Sequence, residues 1–114
     1  MENKDLQIGN FVLNYLKEPI LVESIICDFN ECTINSDIVE LFDPIPLSKE
    51  WLLKLGFVKK HNDNELYHEF LIYFIGSNRF WFLDKEDGIV KNHLMIPKKL
   101  KYVHQLQNII TLMS

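Results

Sequence analysis

Hydrophobic and polar residues alternate with two different periods along this chain, and the change of period divides it. Phe11, Leu13 and Tyr15 fall at alternate positions between Leu6 and Leu16, which predicts a strand. Lys17-Glu18-Pro19 reads as a turn. Ile20 to Cys27 is β-branched and apolar, with Glu23 and Ser24 interrupting, and predicts a second strand. Asp28-Phe29-Asn30 reverses the chain. Glu31 to Asn35 is a short third strand, Asn35-Ser36-Asp37 a tight turn, and Ile38 to Phe42 a fourth strand that Asp43-Pro44 ends. Short strands with turn signals between them predict a strongly bent antiparallel meander, an SH3-like half-barrel.

Next comes a short helix, expected over 48–55, with both ends written in. Pro46 keeps Ile45 extended. Ser48 is a good N-cap, because its hydroxyl can accept from an orphan amide of the first turn. Leu47 and Leu52 occupy the positions of a hydrophobic staple. Gly56 suits the left-handed residue after the last turn, with Phe57 folding back on Leu52. So short a helix does not hold alone in water and is expected to dock through Trp51, Leu52 and Leu55.

Residues 59–65 form the most polar run and predict a mobile loop. An antiparallel hairpin layer is expected over 67–96. His68 to Ile75 is apolar on both alternating faces, Gly76-Ser77-Asn78 is a hairpin loop, and Arg79 to Leu83 returns antiparallel. Asp84 to Gly88 reads as a second turn before a strand from Ile89 to Ile96. Beyond Pro97 the period becomes helical, with Val103, Leu106, Ile109, Ile110 and Met113 on one face of a helix over about 101–113. Its other face, His104, Gln105, Gln107, Asn108 and Thr111, is polar, and no charged side chain follows Lys101. A solvated helix face normally carries Lys and Glu. This neutral face therefore calls for a partner: the N-terminal meander, a pocket or a second subunit.

The fold class is thus α+β, in a single domain over 1–114 with residues 1–5 frayed. Its 47% hydrophobic and 25% charged residues are ordinary for a globular chain. No apolar run reaches membrane-spanning length and the N-terminus lacks a signal-peptide pattern, so no membrane partner is expected and the location is read as cytoplasmic. Cys27 and Cys32 could in principle pair, but in a reducing compartment they are expected as free thiols, and the C-x4-C spacing with no second Cys or His pair nearby does not read as a metal site. The charge is uneven: residues 1–50 carry ten acids and three bases, residues 51–114 six acids and nine bases. The acidic half disfavours duplex nucleic acid.

No catalytic motif or metal set is present, and no cofactor is implied. The four histidines, at 61, 68, 93 and 104, sit in no recognised arrangement, and His104 on the neutral helix face is the one of most interest. Ligand binding has better support. Tyr73, Arg79 and Trp81 lie on facing strands, and Arg79 and Trp81 point to one side. An indole with a guanidinium beside it can stack a base and hold a phosphate, and His104 and Asn108, a helical turn apart, could add hydrogen bonds. The competing reading makes Trp81 a core residue and Arg79 a hairpin cap.

Ile8-Gly9-Asn10-Phe11-Val12, Ile45 to Phe57, and Tyr102-Val103-His104-Gln105-Leu106-Gln107-Asn108 together resemble an uncharacterised family of small proteins of gut Bacteroides-type bacteria and their phages and prophages. The resemblance implies a phage or mobile-element context, in which small proteins commonly act by binding, some as oligomeric counter-defence sponges for nucleotide signals. The expected function is therefore a non-enzymatic, homo-oligomeric binding protein that sequesters a small nucleotide ligand. The alternative is an inhibitor or assembly module acting on a host protein through acidic residues such as Glu23, Glu31 and Glu40. A phosphodiesterase-like enzyme is the third reading.

Overall fold

A computed structural model describes residues 6–59, 64–69, 71–75, 79–86, 89–96 and 100–113. The fold is α+β: antiparallel strands in three sheets with a C-terminal helix. Its contacts divide into two units, Met1–Leu47 with Lys101–Ser114, and Ser48–Leu100. The expected fraying of 1–5 and the loop Gly76-Ser77-Asn78 lie outside the described residues, as do positions 60–63 of the expected 59–65 loop.

In the first unit the meander is divided rather than continuous. β1 (Phe11–Leu13) pairs with β2 (Pro19–Leu21), and β3 (Ile25–Cys27), β4 (Cys32–Ile34) and β5 (Asp37–Ile38) form a second sheet. The first turn is built by Asn14, whose carboxamide oxygen accepts from the N–H groups of Leu16 (2.9 Å) and Glu18 (3.0 Å). Tyr15, expected in the same strand, sits in that turn and is exposed, and the buried residue of β1 is Val12 between the half-buried Phe11 and Leu13.

The expected strand from Ile20 to Cys27 breaks at Val22–Ser24, because other partners take its backbone. Val22 donates to Asn10 C=O and accepts from Gly9 N–H, both at 2.8 Å. The Asn35 carboxamide accepts from Glu23 N–H (2.8 Å) and Ser24 N–H (3.1 Å) and donates to Leu21 C=O (2.9 Å). Asn35 and Ser36, at φ 50° and 73°, make the two-residue β4–β5 turn in the left-handed region that such hairpins require. A 3₁₀ turn at Val39–Leu41 replaces most of the expected fourth strand. Leu6, Val12, Val22, Ile34, Val39 and Phe42 form the core of these sheets.

Cys27 and Cys32 are not free thiols: they form a disulfide. The two residues stand directly opposite in the β3–β4 register, with Cα atoms 4.0 Å apart. It is the pleat of the hairpin that brings the sulfurs together, which sequence spacing alone does not show.

The second unit opens with α1 (Lys49–Lys54), and its ends are those the sequence predicts. Ser48 Oγ accepts from Trp51 N–H at 3.3 Å. At the other end Gly56 takes φ 101°, Gly56 N–H donates to Leu53 C=O (3.2 Å) and Phe57 N–H to Leu52 C=O (3.0 Å). This paired pattern is the Schellman motif. Leu52 and Phe57 are both buried, whereas Trp51 and Leu55 are half-buried. Ser48→Ala is expected to cost about 1 kcal/mol, read as a lower midpoint in urea with an unchanged slope.

β6 (Glu65–His68), β7 (Leu71–Phe74), β8 (Arg79–Glu86) and β9 (Ile89–Met95) then form a four-stranded antiparallel sheet in chain order. The run expected as one strand from His68 to Ile75 is two strands of a hairpin. Asp84, Lys85 and Glu86, expected in a turn, belong to β8, whose register to β9 shifts between Asp84 and Lys85.

Candidate functional site

Residues opposite one another in an antiparallel pair share a face. Leu66 opposes Tyr73, which opposes Phe80, and His68 opposes Leu71, which opposes Phe82. This is the core face: Leu66, Leu71 and Phe80 are buried, and the Phe57 ring lies 6.0 Å from Phe80 and 5.3 Å from His68. Tyr73 belongs here, its ring centroid 4.7 Å from Phe80, and burial raises its phenol pKa.

The other face carries two cross-strand rows. One runs Tyr67, Ile72, Trp81, Met95, and the other Glu65, Phe74, Arg79. Arg79 and Trp81 therefore share a face, as their spacing predicts, and Tyr73 lies on the opposite one. Both are half-buried, as are Tyr67 and Phe74, whereas Ile72 and Leu83 on this same face are buried, so part of it is covered. The Phe74 ring meets Trp81 edge-on at 6.2 Å and 82°, the geometry that ring quadrupoles favour. The Tyr67 hydroxyl donates to the Glu65 carboxylate at 2.6 Å, and this bond raises the phenol pKa. Sequence reasoning missed Tyr67 and Phe74, because their face depends on where the β6–β7 turn falls. Chemically the face offers a braced indole with a guanidinium on the same side, suited to a planar ring bearing an anion.

His104 and Asn108 belong to the first unit, on α2 (Val103–Met113). The neutral face of this helix is bonded to the start of the chain. Asn10 Nδ2 donates to Asn108 Oδ1 at 2.9 Å. Gln107 Oε1 accepts from Phe11 N–H (2.8 Å), and its Nε2 donates to Gly9 C=O (3.2 Å). Gln105 Oε1 accepts from the N–H groups of Lys101 (2.9 Å) and Tyr102 (3.2 Å), which satisfies donors ahead of the first turn. His104 is buried and stacked on Tyr102, with rings 9° from parallel.

The outer edge of β1 is covered by the same device. Phe11 N–H meets Gln107, while Leu13 and Asp43 exchange both backbone bonds at 2.8 and 2.9 Å. Lys17 adds an ion pair to Asp43 that holds its carboxyl below the ordinary aspartate range. Ile45 C=O accepts from Val103 N–H (2.8 Å), and Leu47 N–H donates to Lys101 C=O (2.9 Å). Segment 101–108 is thus bonded both to residues 9–11 and to residues 45–47.

Comparison with protein-family models, curated proteins and solved structures finds no match. Among the described residues no helix is long and apolar enough to cross a membrane.

Proposed function

We propose that this chain is a small non-enzymatic binding protein of phage or mobile-element type, which sequesters a nucleotide-derived signal on the Arg79–Trp81 face. The observation that carries the reading is the register that sets a half-buried indole, braced by Phe74, on the same face as Arg79. A nucleobase would stack on Trp81 and its phosphate would pair with the guanidinium. Asn108 already serves Asn10 and His104 is buried against Tyr102, so the reading rests on the sheet face. A homo-oligomeric state and an SH3-like closure of the N-terminal strands belong to the same proposal. So does a cytoplasmic location. The Cys27–Cys32 bond weighs against that location, because disulfides persist mainly in oxidising compartments.

Native mass spectrometry with a panel of cyclic and linear nucleotides gives bound mass and subunit number together. A stoichiometric adduct is expected, with affinity falling roughly 5–150-fold in Trp81→Ala, since stacking one base is worth roughly 1–3 kcal/mol. Arg79→Ala is expected to weaken binding too. Undiminished binding by both variants would sink the assignment.

A further inference from the structure

The tip that joins β3 to β4 is held twice over and holds up an uncovered aromatic ring. The Cys27–Cys32 disulfide closes the segment 28–31. Inside it the Asp28 carboxylate accepts from Asn30 N–H (2.8 Å) and Glu31 N–H (3.0 Å), and Asp28 N–H donates to Glu31 C=O (3.0 Å). At its centre Phe29 is fully exposed, at 106% of its reference surface. A Phe side chain is a large apolar surface to leave in water, and here it is left there by a loop with little freedom to withdraw it. The apolar surface continues along the outer face of the sheet, where Ile26, Thr33 and Ile38 lie opposite one another across three strands. Ile26 is 64% exposed and Ile38 43%.

We propose that this tip is a protein-docking element, with Phe29 entering an apolar pocket of a partner whose pocket rim is basic. Charge selects the partner. Glu23, Asp28, Glu31, Asp37 and Glu40 are all exposed, and the single base between residues 6 and 47 is Lys17, which pairs with Asp43. A second copy offering the same patch would bring like charges together, which costs affinity; Lys and Arg around an apolar pocket complement it. The constrained tip also lowers the ordering cost of binding, and a buried aromatic anchor is the usual centre of such interfaces. This surface is independent of the Arg79–Trp81 face, and either assignment can fail alone.

A displayed library of random peptides, panned against the oxidised protein, is the probe. The expected peptides combine aromatic or aliphatic residues with Lys or Arg. Their affinity is expected to drop at least about tenfold in Phe29→Ala and to fall in Glu23→Lys/Glu31→Lys, with unchanged melting temperatures and unchanged behaviour of Trp81→Ala. No enrichment, peptides without basic bias, or equal binding by Phe29→Ala would overturn the proposal. So would sedimentation showing a dimer that Phe29→Ala dissociates, because the occupant would then be a second copy.

Discussion

Phe57→Ala is expected to destabilise the second unit by about 3–5 kcal/mol, the usual range for removing a buried Phe ring. Phe57 is 1% exposed and serves two structures at once. Its backbone N–H closes the Schellman motif on Leu52 C=O, and its ring fills the space between His68 and Phe80 on the core face. Alanine keeps the backbone bond and removes the ring. The loss should therefore appear as a cavity and not as an unwound helix end. Whole domains are stable by only about 5–15 kcal/mol, so the variant sits near the folding threshold. Phe57→Leu, which retains much of the volume, should cost clearly less. Urea unfolding followed by Trp81 fluorescence in a Trp51→Phe background measures both. A Phe57→Ala cost below about 1 kcal/mol, well under the range for a buried ring, would show that this ring is not part of the core.

Asn10→Ala is expected to cost about 1–3 kcal/mol, the loss of two hydrogen bonds at about 0.5–1.5 kcal/mol each. Asn10 is 3% exposed with every polar group engaged. Its Oδ1 accepts from Gln7 N–H at 2.8 Å and its Nδ2 donates to Asn108. Its backbone N–H donates to Gln7 C=O (3.1 Å) and its C=O accepts from Val22 N–H (2.8 Å). Truncation removes the acceptor of Gln7 N–H and the donor to Asn108, two part-buried bonds. Thermal melting of the variant should show the loss, with far-UV circular dichroism of the native state retained. An unchanged melting temperature would mean that the pair is replaced by water without cost.

The short helix was legible to its last residue because caps are local chemistry: Ser48, Gly56 and Phe57 act within a few positions of one another. The C-terminal helix was equally clear, and its uncharged polar face called for a partner, the N-terminal meander being one of three candidates. The partner, Gly9-Asn10-Phe11, lies 96–98 residues away along the chain. Composition offers no sign of such pairing. The features that sequence reasoning missed are set by strand pairing and register and carry no local signal. No Gly or Pro stands between His68 and Leu71 in the sequence, so the break between β6 and β7 was invisible and with it the faces of Tyr67 and Phe74. Val22–Ser24 reads as strand, yet its bonds go to Gly9, Asn10 and Asn35. The disulfide follows from hairpin register, whereas the sequence reading set pairing aside on the assumption of a reducing compartment. Of the candidate site, the common side of Arg79 and Trp81 could be read directly, since alternation is intrinsic to a strand. The opposite placement of Tyr73 needed the cross-strand register.

That the neutral face of α2 is locked onto the start of the chain is the claim on which the first unit stands. A double-mutant cycle on Asn10→Ala and Asn108→Ala, measured by urea unfolding, tests it most directly. A coupling of about 1 kcal/mol is expected, the net worth of one intramolecular hydrogen bond. Strict additivity of the two substitutions would contradict it, and would return Asn108 to the pool of side chains available to a ligand.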